Sequence, residues 1–238
     1  IVARLKEFFN YMRYEKRFHS KIYYPKFENE PSKNNNDYKI LYSVRLYDPT
    51  KLNKRDIEKG YPELSSLEID EVYGNWCRDL ARVTQQRIEI VKVLKQRFGD
   101  KFIGGISEDD YALKVAPKLI APESLTMKYE FMKLLKTNII CVSSEGLHNS
   151  IGWKFGEFVA ASKAIVTDSL AYSIPGNFQK DKNYLEYTDT DELINQLETL
   201  LNNTDLIKNM EVENYIYYKN YVKPDHLVFN SLKEANIL

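Results

Sequence analysis

The chain has 238 residues, and its 34 lysines and arginines are balanced by 34 aspartates and glutamates, which gives a formal net charge of zero. A neutral protein lacks the overall positive field that draws proteins to nucleic acid or to anionic membranes, so we expect no nucleic-acid partner. No apolar run approaches the roughly 18 residues of a membrane span, and no signal peptide is visible.

Two isolated cysteines indicate a reducing compartment. Cys77 and Cys141 form no CxxC pair and have no histidine nearby, and two cysteines do not make a disulfide framework. Cys141 lies within an apolar run, which is typical of a buried and inert thiol. We therefore predict a cytoplasmic protein.

The N-terminal part differs from the rest of the chain. Residues 1–18 have the spacing of an amphipathic helix, with apolar side chains at Val2, Leu5, Phe9 and Met12. Residues 28–37, ENEPSKNNND, predict a linker or a long loop. We divide the chain into a helix and linker, residues 1–36, and a main domain, residues 37–238. The basic side chains of the helix leave two interpretations open: peripheral association with the inner face of a membrane, and packing against a neighbouring domain.

The first half of the main domain alternates predicted strands and helices. Residues 38–47 form a predicted strand, and residues 48–73 a charged loop. A long helix is predicted over 75–97, and its expected core residues are Trp76, Leu80, Val83, Ile90, Val91 and Leu94. A second strand is predicted over 101–106, and Ser124 is expected to cap the helix that follows.

Residues 138–168 contain the pattern that locates a site. An apolar run over 139–142 leads into a turn of small residues over 143–146, and an amphipathic segment and a second apolar run over 164–166 follow. Strand, loop, helix and strand in this order build a parallel sheet with helices on its faces. Such sheets bind ligands beyond the carboxyl end of a strand and at a helix N-terminus, so we expect a ligand site at this loop.

The remaining residues extend the same pattern. A short strand is predicted near residues 183–187, and Asp189 and Glu192 match a capping box at the start of an amphipathic helix. A last helical region begins near Asp205 and is interrupted by Pro224. The whole order of elements predicts an α/β fold, a doubly wound parallel sheet with N-terminal and C-terminal helical appendages.

Residues 152–166, GWKFGEFVAASKAIV, resemble the C-terminal half of a GT-B-fold glycosyltransferase of the group 1 and spore-maturation type. Such domains have a glutamate at the start of a run of small residues, then an apolar strand and an acidic or polar turn. Here these features are Glu157, Ala160-Ala161-Ser162, Ala164-Ile165-Val166 and Asp168. The resemblance covers roughly residues 38–232. It implies a Rossmann-like domain that binds a nucleotide-sugar donor in polysaccharide biosynthesis.

The resemblance also implies roles for individual residues. Glu157 matches a glutamate whose carboxylate accepts hydrogen bonds from the ribose hydroxyls. The loop before the helix would offer backbone N–H groups to the diphosphate and contacts to the donor sugar. Its residues are Gly146, His148, Asn149, Ser150 and Ile151. Arg45 and Lys154 would act as catalytic groups, because positive charge stabilises the departing diphosphate in place of a metal ion. For His148 and Arg45, a solvated surface position is an alternative, and for Glu157 the alternative is an acid of the first helical turn that the helix dipole stabilises.

Two features depart from the family pattern. Many group 1 members have a second glutamate eight positions before the first, where this chain has Asn149. That glutamate contacts the donor sugar, and an amide can replace it because it both donates and accepts hydrogen bonds. The glycine-rich loop that usually follows the first strand is also missing, since residues 43–46 contain no glycine.

The sequence therefore leaves two main hypotheses about function. In the first, the chain is the donor-binding half of a metal-independent glycosyltransferase of the hexosyltransferase type, which transfers a sugar from a nucleotide-diphosphate sugar to a saccharide, lipid-linked or protein acceptor. A preceding acceptor domain or a partner chain would complete it, because residues 1–36 are too few for a second Rossmann-like domain. In the second, the chain is a non-catalytic nucleotide- or sugar-binding module of the same fold. A dinucleotide-dependent oxidoreductase is disfavoured, because no GxGxxG follows a predicted strand.

We predict no metal ion and no cofactor apart from the donor substrate. Asp189-Thr190-Asp191 formally matches the Asp-x-Asp metal signature of the other large glycosyltransferase fold. The triplet lies directly before an amphipathic helix, with Glu192 at the capping-box position, so helix capping is the better interpretation. Asp109 and Asp110 lie in a polar turn without partner ligands in the sequence.

Overall fold

The computed structural model describes residues 28–31 and 37–236, and within them five strands form one parallel sheet. The strands are β1 Lys39–Val44, β2 Phe102–Ile106, β3 Ile139–Val142, β4 Ala164–Asp168 and β5 Leu185–Tyr187. Their order across the sheet is β2-β1-β3-β4-β5, and every neighbouring pair is parallel. The helix predicted over residues 1–18 lies outside the described residues.

Helices connect these strands and follow the last of them. They are α1 Lys54–Gly60, α2 Ser66–Phe98, α3 Asp110–Val115, α4 Glu123–Thr126, α5 Lys128–Leu135, α6 Trp153–Ala160, α7 Thr190–Asn202, α8 Thr204–Tyr217 and α9 Pro224–Glu234. Short 3-10 turns lie at Pro49–Lys51, Gly99–Lys101, Pro117–Leu119 and Leu147–Asn149, and a π-helical turn at Tyr218–Val222. Among the helices of this part of the chain, none has both the length and the apolar character that a membrane span requires.

The central strands are buried on both faces, because alternate side chains enter two different hydrophobic clusters. Ile140 and Val142 of β3 pack on the side of α2 and α7, whereas Ile139 and Cys141 pack on the side of α5 and α6. The helices contribute Ile90, Val91, Leu94, Leu193, Leu197 and Leu200 to the first cluster and Phe131, Leu135, Phe155, Phe158 and Val159 to the second. These two layers confirm the predicted doubly wound α/β fold.

The chain leaves the neighbouring strands β1 and β3 toward opposite faces of the sheet. The helix after β1, α2, packs on one face, and the helix after β3, α6, packs on the other. Connections that diverge in this way leave a crevice between the carboxyl ends of the two strands. The fold therefore places a crevice at the loop where the sequence predicts a ligand site.

The long helix begins nine residues earlier than the sequence predicted, at Ser66. Its start is a reciprocal capping box: the Ser65 hydroxyl accepts a hydrogen bond from the Glu68 N–H, and the Glu68 carboxylate accepts from the Ser65 N–H at 2.8 Å. Most side chains in this part are exposed, with Ile69 buried. The apolar periodicity therefore begins only after the helix is already formed.

The prediction of a charged loop over residues 48–73 is therefore wrong. The segment contains a 3-10 turn, α1 and the first turns of α2, and the side chain of Asn53 caps α1. Trp76, an expected core residue, is half-buried, and its ring centroid lies 5.5 Å from that of His148. It packs on the loop after β3 because α2 extends past the edge of the core at this end.

Two capping predictions have different outcomes. Asp189 caps α7, since its carboxylate accepts the Glu192 N–H at 2.8 Å, but the Glu192 carboxylate binds the N–H of Thr188 rather than that of Asp189. Ser124 does not cap a helix, because it lies within the short α4, which is separated from α5 at Met127. Proline at position 122 already begins that turn, so a serine cap two residues later is not needed.

Gly105 and Gly156 allow a matched test of backbone constraint. Gly105 in β2 has a φ of +137°, and an added Cβ would lie 2.7 Å from the carbonyl oxygen of Leu119. We expect Gly105→Ala to lower the free energy of unfolding by about 2 kcal/mol or more, because backbone strain is added to a clash. Gly156 lies in α6 with open space at its Cβ position, so Gly156→Ala should raise that free energy by about 1 kcal/mol. Urea unfolding measures both, and effects of the same sign would contradict this account.

Candidate functional site

A cavity of about 630 Å³ opens at the carboxyl ends of β1 and β3. This volume lies in the range of cavities that bind small molecules and cofactors. Its lining comes from the ends of β1 and β3 and the residues after them, the residue after β2, the first two turns of α6, one position of α2, and the segment around α4 and α5. These residues are Tyr42, Ser43, Val44, Arg45, Tyr47, Arg87, Ser107, Leu125, Phe131, Val142, Ser143, Ser144, Gly146, Ser150, Ile151, Gly152, Trp153, Lys154 and Phe158.

The charges around this cavity have one sign. Its described lining contains three basic residues, Arg45, Arg87 and Lys154, and no acidic residue, although the chain as a whole is neutral. Hydroxyl groups and the start of α6 complete the polar side, whereas Leu125, Phe131 and Trp153 form an apolar side. The arrangement suits a ligand that is anionic at one end and apolar at the other.

The first turn of α6 adds further positive potential. Gly152 precedes the helix and offers no side chain to cap it, so the turn has no side-chain acceptor for its N–H groups. A helix N-terminus carries a partial positive charge that favours anions. Lys154 donates from Nζ to the carbonyl oxygen of Ser43 on β1, and its ammonium lies 5.2 Å from the centroid of the Phe131 ring. The lysine therefore spans the cavity from α6 to the end of β1, and its contact with a bound anion stays a prediction.

Arg45 follows β1 directly and is exposed at the cavity. The predicted strand over 38–47 ends at Val44, so the backbone of Arg45 has already left the sheet. Its carbonyl oxygen accepts a hydrogen bond from Nη1 of Arg87 at 2.6 Å. This hydrogen bond fixes the backbone of Arg45 at the mouth of the cavity and leaves its side chain exposed.

Arg87 is the site residue that sequence reasoning missed. It is 8 % exposed, and its Nη2 donates to the carbonyl oxygen of Glu145 at 3.2 Å, so it links the segments that follow β1 and β3. Its guanidinium also lies over the Tyr47 ring, 4.7 Å from the centroid. A signal was available: Arg87 lies four positions from both Val83 and Val91 on the buried stripe of α2, where an arginine is unusual.

The loop after β3 uses much of its backbone internally. The N–H of Gly146 donates to the carbonyl oxygen of Ser150 at 2.8 Å, and the N–H of Ser150 donates to that of Leu147 at 3.2 Å. The N–H of His148 donates to the carboxylate of Asp79 on α2 at 2.7 Å. The sequence led us to expect that these three amides would donate to a diphosphate. In the structure they donate to protein acceptors instead and hold the loop in its conformation. Ile151, at its end, lines the cavity.

His148 and Asn149 lie on the side of the loop that contacts α2. Both have left-handed backbone conformations, with φ of 58° and 56°. The Asn149 amide oxygen accepts a hydrogen bond from Nη2 of Arg82 at 3.2 Å, and the His148 carbonyl oxygen accepts one from the Tyr172 hydroxyl at 2.9 Å. Neither residue is among the described residues that line the cavity.

Glu157 lies one turn beyond the start of α6. Positions three and four apart share a helix face, so it lies on the face that carries Trp153 and Lys154. Its side chain is half-buried, and Glu157 is not among the described residues that line the cavity. Its role toward a ribose stays a prediction.

Asp168 anchors the loop from β4. Its carboxylate accepts the N–H of Glu145 at 2.7 Å and lies 3.4 Å from Nε2 of Gln86. The pKa of Asp168 is raised to about 6, mainly by burial and in smaller part by the Glu145 carboxylate, while the hydrogen bonds to Asp168 oppose the rise. Two hydroxyl groups hold the same turn, since the Tyr187 hydroxyl donates to the Ser143 carbonyl and that of Tyr42 lies 2.7 Å from Ser144 Oγ.

The raised pKa of Asp168 predicts a pH dependence of stability. The unfolded carboxyl ionises near pH 4 and the folded one near pH 6, so between these values the folded state binds more protons and loses stability as the pH rises. The loss is at most about 3 kcal/mol, at about 1.4 kcal/mol per pKa unit. We therefore expect wild type to lose stability relative to Asp168→Asn from pH 4 to 6 and to show a constant difference above pH 7. Urea unfolding of both proteins across this range measures it, and parallel curves would refute it.

Comparison with known proteins gives a relationship at the level of fold. No family model matches the chain, and no curated protein matches it in sequence. The structure is similar to the C-terminal domain of a glycosyl transferase group 1 family protein, LpcC, from Francisella tularensis, with a TM-score of 0.52 and 14% sequence identity. The match covers 84% of this chain and 98% of that domain. The chain therefore shares the α/β fold of a group 1 glycosyltransferase C-terminal domain, as the sequence resemblance implied.

Proposed function

We propose that this chain binds the nucleotide-sugar donor of a glycosyltransferase. The observation that carries the proposal is the cavity at the carboxyl ends of β1 and β3, whose described lining has three basic residues and no acidic one. A nucleoside diphosphate has an anionic centre and a flat base, which match the basic and apolar sides of this cavity. The fold shared with a group 1 glycosyltransferase domain supports the same conclusion.

Each part of the donor has a proposed place. The diphosphate lies at the first turn of α6, between Lys154 and Arg45. The base lies against the apolar side, where Trp153 is 92% exposed and Leu125 and Phe131 are close by. The ribose hydroxyls bind Glu157, on the same face of α6. A conformational adjustment of this half-buried carboxylate is needed for that contact, since Glu157 is not among the described lining residues.

The chemistry follows from the charges. Transfer breaks the bond between the sugar C1 and the diphosphate oxygen, so negative charge grows on the leaving diphosphate. Positive groups already in place stabilise that charge more than they stabilise the ground state. Arg45, Lys154 and the α6 N-terminus supply them, without a metal ion. The acceptor, a saccharide, lipid or protein, and any catalytic base come from a preceding domain or a partner chain in this proposal.

One observation favours the second candidate, a nucleotide- or sugar-binding module without turnover. Asn149, which occupies the place of the sugar-binding glutamate, is bonded to Arg82 and is not among the described lining residues of the cavity. No acidic side chain replaces it in that lining. A donor sugar would therefore meet hydroxyls and backbone rather than a carboxylate.

Calorimetric titration with UDP, GDP and pyrophosphate tests the donor site. We expect Lys154→Ala to weaken both nucleotide and pyrophosphate binding about tenfold or more, because charge-assisted hydrogen bonds contribute about 1.5–3 kcal/mol. Glu157→Ala should weaken nucleotide binding by a similar factor and leave pyrophosphate binding unchanged, because its contact is to the ribose. Lys233→Ala, an exposed lysine on α9, is the control. No nucleotide binding by the wild-type chain would eliminate the proposal.

Turnover separates the enzyme from the module. Together with the preceding domain or partner chain proposed above, the chain should hydrolyse or transfer the sugar of a nucleotide sugar that it binds. Arg45→Ala should then lower kcat by about tenfold or more while the Kd of the donor changes less, because Arg45 acts mainly on the charge that develops in the transition state. Donor binding without sugar release, measured by product chromatography, would favour the module.

A further inference from the structure

Within the residues that the structure describes, the guanidinium of Arg87 is a buried charge without a carboxylate counter-ion. The residue is 8 % exposed, and within the described residues no carboxylate forms an ion pair with it, since Glu145 pairs with Arg82 instead. Its two terminal nitrogens donate to carbonyl oxygens of Arg45 and Glu145, and its Nε is buried without a hydrogen-bond partner in the described structure. Burying a cation in this way is costly unless an anion is brought to it.

Arg87 also lies where an anion would arrive. It belongs to the lining of the cavity at the carboxyl ends of β1 and β3, between the two segments to which it donates. The other basic residues of the lining, Arg45 and Lys154, come from outside α2, and the described lining contains no acidic residue. An anion bound in the cavity, at the carboxyl ends of β1 and β3, would supply the counter-charge that Arg87 lacks among the described residues.

We propose that Arg87 is the principal anion-binding side chain of this cavity and that its ligand is a diphosphate group. A guanidinium has five N–H donors in a planar fork, so it can keep both carbonyl contacts and still donate to phosphate oxygens. The arginine thereby takes over the contact that backbone amides of a glycine-rich loop after β1 would make. That this diphosphate belongs to a nucleotide donor rests on the function proposed above.

A purely structural role for Arg87 makes different predictions. If the residue only ties the ends of β1 and β3 together, its replacement lowers stability and leaves the affinity for anions unchanged in the folded fraction. If it binds the diphosphate, a replacement that keeps a hydrogen-bond donor but loses the charge weakens anion binding even in the fraction of the protein that stays folded. Arg87→Gln is such a replacement, and Arg87→Lys keeps the charge without the fork.

Calorimetry and thermal unfolding with pyrophosphate test the proposal. We expect Arg87→Gln to raise the Kd of pyrophosphate at least 30-fold and Arg87→Lys about 5-fold to 10-fold. The rise in Tm that pyrophosphate induces should be largest in the wild type, smaller in Arg87→Lys and smallest in Arg87→Gln. The matched control is Arg97→Gln, also on α2, where the arginine pairs with Glu198 outside the lining of the cavity, and its Kd should stay within twofold of wild type. A pyrophosphate Kd unchanged in both Arg87 variants overturns the proposal.

A measurement on the wild-type chain covers the case in which the variants do not fold. The buried Nε–H of Arg87 should give a slowly exchanging arginine signal in ¹⁵N-detected spectra, and saturating pyrophosphate should shift it. Pyrophosphate saturation without a shift of any protected arginine Nε–H signal overturns the proposal.

Titration with UDP and with nucleotide sugars separates this inference from the proposed function. If pyrophosphate binding depends on Arg87 but no nucleotide binds more tightly than pyrophosphate, the anion site stands and the donor function fails. If UDP binds with the expected dependence on Lys154 and Glu157 while the Arg87 variants bind it as wild type does, the donor function stands and Arg87 is a structural tie.

Discussion

The divergence of two connections from adjacent strands is the constraint on which the rest of the structure depends. β1 and β3 share backbone hydrogen bonds, yet α2 and α6 pack on opposite faces of the sheet. No chain segment can cross directly above the two strand ends, so a crevice forms there. The surrounding elements fill it only partly, and a cavity of about 630 Å³ is left.

Charge is distributed so that this crevice is positive in a chain with no net charge. Three acidic residues of the neighbouring segments have partners elsewhere. Asp79 and Glu145 pair with Arg82, and Asp168 accepts the N–H of Glu145. These contacts hold the loop after β3 on its outer side, away from the cavity. The described lining of the cavity therefore contains basic residues and no acidic residue.

The sequence predicted an element accurately where burial in the core fixes its residue types, and less accurately where the element depends on other contacts. β3 was predicted with its observed limits, 139–142, because a strand buried on both faces must be apolar at every position. The start of α2 was predicted too late, because its first turns are held by a capping box rather than by core packing. In the site, the prediction of Lys154 at the cavity follows from its place in the first turn of a helix after a strand.

By itself, the sequence determined the α/β class, the order of the five strands, the helix cap at Asp189 and the position of a candidate site between β3 and α6, because each depends on local periodicity or on short-range hydrogen bonds. Only the tertiary structure decided which groups face the cavity. It turned His148 and Asn149 toward α2 through Asp79 and Arg82, some 70 positions away in the chain, and it brought Arg87 beneath the ends of two strands. Such contacts join residues distant in sequence, so no local pattern contains them.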